Sequence, residues 1–194
     1  GVSKAGPAIG DVLFGAVNPG GKLTMTFPKS VGQIPLYYAH KNTGRPLKEG
    51  KWFEKFRSNY LDVDNDALYP FGYGLSYTTF RFSDITLNRS SIGMDNELVA
   101  SVTVTNTGDR AGSEVVQLYI RDLVGSVTRP VKELKGFEKI YLQPNESRTV
   151  RFTIAPEMLK FYNADLKFVA EPGDFDVMIG PDSRNVKTAR FTLR

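Results

Sequence analysis

The sequence feature that most constrains the fold is an alternation of apolar and polar residues that recurs from Phe80 to the C-terminus. Successive side chains of a β-strand point to opposite faces of the sheet, so each alternating run predicts a strand with one face in a core. Turn residues separate the runs, at a spacing typical of a β-sandwich. The apolar members are Leu98, Ala100, Val102 and Val104; Val116, Leu118 and Ile120; Val150, Phe152 and Ile154; and Phe175, Val177 and Ile179.

Short turns and one helical turn complete the predicted sandwich. Turn signals lie at residues 106–109, at Asp122, at 143–146 and at 171–174. Residues 155–159 predict a single helical turn with Pro156 near its start, a position that a helix tolerates because the first amide groups have no acceptor.

The N-terminal residues 1–29 follow a different pattern. Between Gly6 and Gly15, apolar residues recur three and four positions apart, which predicts a short helix with Gly15 as its left-handed C-terminal cap. Residues 22–27 alternate and predict a strand that ends at Pro28. One helix and one strand cannot bury both of their apolar faces alone. We therefore expect this segment to be the C-terminal remnant of an α/β domain that begins upstream.

Residues 30–79 show neither a helical nor a strand period and are rich in glycine, proline and aromatic residues. Unstructured segments of this length are usually functional or lie over another domain. The predicted fold class is thus mainly β: an α/β remnant over 1–29, an extended linker over 30–79 and a β-sandwich over 80–194.

The composition excludes several classes of site. Cysteine is absent and His40 is the only histidine, so disulfides, thiolate nucleophiles and multi-histidine zinc sites are excluded. His40 has no acid or serine partner by spacing and is expected to be structural or exposed. The net charge of +4 is spread along the chain and does not indicate nucleic acid as a partner. No apolar run is long enough to span a membrane, and no signal peptide is expected at the N-terminus.

Three short motifs fail their templates. The acidic run Asp62–Asp66 has the first ligand spacings of a calcium loop, but Ala67 replaces the required glycine and Tyr73 replaces the bidentate glutamate, so a solvated turn is predicted. The glycines at 20–21 and at 72–74 lack the remaining residues of phosphate-binding and dinucleotide-binding loops. No pair of carboxylates is marked for acid–base catalysis, and no metal site is predicted.

The run Lys51–Arg57 interleaves basic and aromatic residues. Such a cluster either packs an irregular segment, faces a sugar or, least favoured, stacks on nucleic acid bases. The weak candidates for sugar contact are Trp52, Phe53 and Tyr60.

Three long parts of the sequence carry a recognisable pattern. They are AIGDVLFG at 8–15 with NPGGKL at 18–23 and TFP at 26–28; VGQIPLYY at 31–38 with NTGRP at 42–46 and YPFGYGLSYT at 69–78; and VTVTNTG at 102–108 with VQLY at 116–119 and RPVKELKGF at 129–137. In that order they resemble the end of the α/β-sandwich domain, the linker and the fibronectin type III-like domain of glycoside hydrolase family 3 β-glucosidases.

The resemblance implies a retaining glycosidase that acts on terminal non-reducing β-D-glucosyl residues without a metal or organic cofactor. In this family the nucleophilic Asp lies in an N-terminal barrel and the acid/base Glu lies earlier in the α/β domain. No residue of this chain matches either motif, so we assign no catalytic residue and expect the chain alone to be inactive. The implied partners are the upstream barrel and α/β domains of the same polypeptide, and the implied location is periplasmic or secreted.

Two other functions remain open at this stage. One is a non-catalytic carbohydrate-binding module, in which exposed aromatic residues would hold sugars. The other is a β-sandwich that only binds other proteins.

Overall fold

The structure, a computed structural model, describes residues 2–47 and 50–194. Gly1, Lys48 and Glu49, which fall in the predicted N-terminal segment and linker, lie outside the described residues. The helices are α1 (Ala5–Leu13) and three 3-10 helices at Val2–Lys4, Val31–Gln33 and Pro156–Leu159. The strands are β1 (Phe80–Phe82), β2 (Thr86–Leu87), β3 (Ser91–Ile92), β4 (Leu98–Asn106), β5 (Gly112–Asp122), β6 (Glu133–Leu142), β7 (Ser147–Ile154), β8 (Phe161–Tyr162), β9 (Phe168–Val169), β10 (Gly173–Gly180) and β11 (Lys187–Leu193).

Two sheets form a sandwich. In the first, β4 pairs along one edge with β7 and also pairs with β1 and β2. The second has the order β3-β11-β10-β5-β6 and is antiparallel except between β3 and β11. A small hairpin of β8 and β9 lies outside both sheets. The mainly β fold class predicted from the alternation is confirmed.

The core lies between the inward faces of the two sheets. Along β4, buried and half-buried residues alternate without a break, as the pattern of apolar residues predicts. Its buried residue Val102 and the facing residues Leu118 and Val177 belong to one hydrophobic cluster. Each such side chain contributes roughly 1.5–3 kcal/mol by leaving water. The strands predicted from the four alternating runs are all present.

Strand β5 departs from simple alternation because both of its faces are covered. Val116, Leu118 and Ile120 face the core as predicted, but Gln117 and Tyr119 on the opposite face are buried as well. The residues that cover them come from the linker region, as described below. We call this side, on which Gln117 and Tyr119 lie, the outer face of the five-stranded sheet.

The predicted N-terminal helix is confirmed and the predicted strand is wrong. Helix α1 ends before Phe14, and Gly15 follows with φ of +77°, the left-handed conformation expected of its cap. Residues 22–27 form no strand. In the described part of the chain, their backbone bonds with the linker at two places, from Leu23 to residues 72–73 and from Phe27 to residues 68–69. Alternation specifies which side chains share a face but supplies no partner strand, and here the backbone partner is an irregular loop.

Two of the shorter features also differ in outcome. The helical turn predicted at 155–159 is the 3-10 helix Pro156–Leu159 with proline at its start, which confirms it. The turn predicted at 171–174 is too long, because β10 already begins at Gly173. In the described part of the linker no strand or helix exceeds three residues, as its lack of periodicity predicts.

Candidate functional site

Two aromatic residues of the linker, Tyr38 and Phe71, lie against the outer face of the five-stranded sheet. Tyr38 stacks on Phe71 with ring centroids 4.4 Å apart, and it meets Tyr119 of β5 edge-on at 5.7 Å. The Tyr38 hydroxyl also accepts a hydrogen bond of 3.3 Å from the backbone amide of Leu134 in β6. Stacked and edge-on rings of this kind stabilise beyond their buried area. Two distant parts of the linker are therefore held on the same patch of the sheet.

A buried polar group at the centre of β5 fixes this arrangement. The Gln117 amide nitrogen donates to the backbone oxygen of Gly72 at 3.2 Å and to that of Pro181 at 2.6 Å, while Tyr119 donates its hydroxyl proton to the Gln117 amide oxygen. Burial raises the pKa of the Tyr119 phenol, so this hydroxyl stays protonated. Gly72 has φ of +80°, and the Gln117 side chain fills the space where a Cβ would lie.

A second buried glutamine ties the linker to itself. Gln33 is fully buried, and its side-chain oxygen accepts from the backbone amides of Lys29 at 2.6 Å and Ser30 at 3.3 Å. Its amide nitrogen donates to the backbone oxygens of Asp64 at 2.9 Å and Asp66 at 3.3 Å. One side chain thus joins two loops that are about thirty residues apart in the sequence.

The acidic run forms a turn that is held by an ion pair. The Lys29 ammonium lies 2.7 Å from both carboxylate oxygens of Asp64. That hydrogen bond holds the pKa of Asp64 below its ordinary value, against the opposing effect of burial, with further help from the backbone amide of Asp66. The predicted solvated turn is therefore also a contact between two loops. Among the described residues, no group of three or more acidic or histidine side chains is arranged to hold a metal ion.

The linker leaves a cavity of about 940 Å³ between itself and the outer face. The sheet contributes Arg121, Asp176, Met178 and Thr188, and the linker contributes residues from 35–47 and 58–67. The floor is regular because these four residues lie on the same face of three adjacent strands, β5, β10 and β11. The lining is mixed, with aromatic, amide and charged side chains.

Of the three predicted sugar-contact residues, one lines the cavity and two do not. Tyr60 lines the cavity, and its hydroxyl donates to the backbone oxygen of Gln33 at 3.1 Å. Trp52 and Phe53 lie outside the cavity and are 58% and 55% exposed. Phe56 of the same cluster is also exposed, at 72%, so its ring is not covered by the described part of this chain.

His40 and the two other carboxylates with shifted pKa values lie at different places in the fold. His40 is exposed, as expected, and its backbone oxygen receives the amide of Val131. Burial raises the pKa of the Asp122 carboxyl, whereas hydrogen bonds from Ser126 lower that of the Glu171 carboxyl. Both belong to one end of the sandwich rather than to the cavity. In the described ranges, no helix is both long and apolar enough to cross a membrane.

Comparison with known proteins matches each half of this arrangement to a known domain family. Residues 2–77, which include α1 and the linker loops, match the glycosyl hydrolase family 3 C-terminal domain. Residues 114–183, within the sandwich, match the fibronectin type III-like domain. The chain belongs to the C-terminal region of glycosyl hydrolase family 3.

The proteins that match this family 3 region are much longer than the chain. The chain is 56% identical over 191 residues to a periplasmic beta-glucosidase of Salmonella typhimurium and 44% identical over 193 residues to a beta-xylosidase of Formosa agariphila. These alignments cover 98% of this chain but only 25% and 26% of the relatives. A crystal structure of a beta-glucosidase from Listeria innocua in complex with glucose aligns with a TM-score of 0.92 at 44% identity, covering 97% of this chain and 26% of that one. The chain thus spans about a quarter of the proteins that it matches.

Sequence reasoning did not identify the residues that organise this family 3 region. Gln33, Gln117 and Tyr38 lie within segments that carry the resemblance, yet nothing local distinguishes them from exposed polar residues. The one available signal was in β5, where Gln117 and Tyr119 interrupt a run of strongly apolar residues. Alternation by itself assigns these polar residues to the solvent, and only the linker contacts in the structure show that this second face is covered.

Proposed function

We propose that this chain is the C-terminal accessory region of a retaining β-glucosidase that hydrolyses terminal non-reducing β-D-glucosyl residues. The observation that carries the proposal is the match of nearly the whole chain to β-glucosidases four times its length. The two carboxylates of such an enzyme, one nucleophile and one acid/base, belong to other domains of the same polypeptide. The chain therefore contributes structure to the enzyme rather than reacting groups.

The physical role that we propose is that of a buttress. Residues 1–29 would complete the α/β domain, residues 30–79 would run across the domain boundary, and residues 80–194 would form a rigid support. The contacts of Gln33 and Gln117 support this division, since they fasten the linker loops to each other and to the sandwich. Apolar residues of the N-terminal segment remain uncovered, and Leu13 and Phe14 are 69% and 91% exposed. Their proposed cover is the rest of the α/β domain.

The proposed location is the periplasm or the extracellular space. The support is the Salmonella relative, which is a periplasmic enzyme, and the absence of cysteine in the sequence is compatible with either location.

Truncation of the intact polypeptide tests the buttress role. We expect a version that ends before Phe80 to lose soluble expression or to denature at a lower temperature, with a fall in turnover of an aryl β-D-glucoside. The linker would then lack the sheet that receives Tyr38 and Phe71. A truncated enzyme with unchanged solubility, thermal stability and turnover would contradict the proposal.

A second candidate function is sugar binding by the exposed aromatic loop. The exposure of Trp52 and Phe53 favours it, and Tyr60 would contribute from the neighbouring cavity wall. Trp52 is the only tryptophan, so its fluorescence reports directly on this loop. A saturable change on titration with a soluble β-glucan, lost in Phe53→Ala, would support sugar binding. An unchanged emission spectrum across the titration would exclude Trp52 as a sugar-contact residue.

A further inference from the structure

The buttress role does not require a cavity between the linker and the outer face. A purely structural contact between two segments is expected to be filled by side chains, yet here an open cleft of about 940 Å³ remains between them. That volume lies within the range of small-molecule sites, which also share its mixture of a regular floor and a few polar groups.

The floor carries a guanidinium without an ion partner. Arg121, Asp176 and Arg190 lie directly opposite one another on β5, β10 and β11, so one carboxylate stands between two guanidinium groups. Asp176 pairs with Arg190, with 2.9 Å between the carboxylate oxygen and the guanidinium Nε. Arg121 is half-buried and makes neither an ion pair nor a hydrogen bond within the part of the chain that the structure describes. A partly buried cation in this state favours an anion beside it.

The rest of the lining shows the same excess of positive charge. Among the residues that the structure describes, Asp66 and Asp176 alone contribute carboxylates to the cavity. The basic lining residues are Lys41, Lys51, Arg121, Lys132 and Arg184, with His40 in addition. The charge of this wall is therefore complementary to an acidic ligand and unfavourable for a basic one.

The linker side of the cavity supplies groups suited to a sugar ring. The ring of Tyr60 is held in place by its hydrogen bond to the backbone oxygen of Gln33, and Tyr38 is fixed by its stack on Phe71. Fixed aromatic rings offer apolar surface to the C–H faces of a sugar. Asn42 and Asn59 add amide groups that can bond to hydroxyl groups.

We propose that this cavity binds an acidic monosaccharide unit, a sugar that carries a carboxylate or a phosphate, with Arg121 as the anion-binding residue. The anion lies over β5 and the ring lies against the linker tyrosines. This inference is independent of the glycosidase assignment, since it uses only groups within the chain.

Calorimetric titration of the purified chain tests the proposal. The probes are D-glucuronate and glucose 6-phosphate. The comparators are D-glucose, which has the sugar ring without an anionic group, and inorganic phosphate, which has the anionic group without a ring. We expect at least one acidic sugar to bind about ten-fold more tightly than either comparator, because the charge-assisted bonds and the ring contacts act together. D-glucuronate and glucose 6-phosphate distinguish a carboxylate from a phosphate as the bound group.

Variants localise the binding. Arg121→Gln is expected to weaken it about ten-fold, and Arg121→Lys is expected to retain part of the affinity. Arg151→Gln, an exposed residue of β7 on the other sheet, is the matched control and should bind as the unmodified chain does. Asn42→Trp, which adds bulk to the linker wall, should also reduce binding. It provides a second test of the site if Arg121→Gln fails to fold. The proposal is overturned by the absence of binding, by equal affinity for an acidic sugar and a comparator, or by folded Arg121 and Asn42 variants that bind normally.

Discussion

Gln33 is fully buried in a segment whose neighbours are largely exposed, and both polar atoms of its side chain are bonded. Replacement by leucine would leave the amides of Lys29 and Ser30 and the carbonyls of Asp64 and Asp66 without this partner. Unsatisfied groups of this kind are costly because they have already lost their water.

We expect Gln33→Leu to lower the free energy of unfolding by about 2 kcal/mol. Urea denaturation followed by circular dichroism measures it, with Gln143→Leu in an exposed turn as the control. Equal stability of the two variants would show that the Gln33 contacts are dispensable.

Asp64 gives the linker a predictable dependence on pH. Because its folded-state pKa lies below the ordinary value of 3.8, the ion pair with Lys29 stabilises the fold above that pH. The contribution is lost as the pH falls from the ordinary value through the folded-state value. For a pair that is one-quarter to one-third exposed, a contribution of about 0.5–1 kcal/mol is expected.

The prediction is that Asp64→Asn is less stable than the unmodified chain near neutral pH and that the difference disappears at low pH. Denaturation curves from about pH 7 to about pH 3 measure the two stabilities. Asp62→Asn, an exposed neighbour, is the control and should show no such difference. A constant difference across the pH range would mean that the Asp64 charge is not the cause.

At the scale of elements, strands whose core-facing residues alternate with polar ones were predictable and the others were not. Strand β4 alternates in sequence and in burial, so its period could be read directly. Strand β6 lies at a sheet edge, and its residues are mostly half-buried or exposed on both faces. Charged residues therefore point to both faces of this strand and hide its period. The two- and three-residue strands are too short to show a period.

Helix α1 presents an apolar face that nothing in the described chain covers. Ile9 and Leu13 lie one turn apart and are 59% and 69% exposed. We expect the purified chain to self-associate through this face and the double variant Ile9→Glu, Leu13→Glu to be more monomeric. Sedimentation velocity over a concentration series measures it.

A matched control for that series is Ala8→Glu, which adds charge at another exposed position of the same helix. Equal self-association of the double variant and the unmodified chain would assign the contact to another surface.

At the scale of the whole molecule, the path of the linker could not be derived from local sequence. Its aromatic and glycine residues indicated that it lies over something, but the receiving surface depends on contacts such as Gln117 with Gly72, 45 residues apart. The cavity is formed by the same long-range contacts. Tyr60 could be predicted as a site residue because it is an aromatic residue of the linker, whereas Arg121 is a cavity residue only because the linker lies over β5. Periodicity reports which residues share a face and does not report what lies on that face.

We propose that the chain is an accessory region and that the reacting groups belong to other domains of the same polypeptide. The most direct test is release of nitrophenol from an aryl β-D-glucoside by the purified chain, with the intact enzyme as the reference. We expect no release by the chain beside an active reference, because the proposed nucleophile and acid/base lie in other domains. Turnover by the chain that survives repurification would contradict this proposal and would require a catalytic carboxylate pair within these 194 residues.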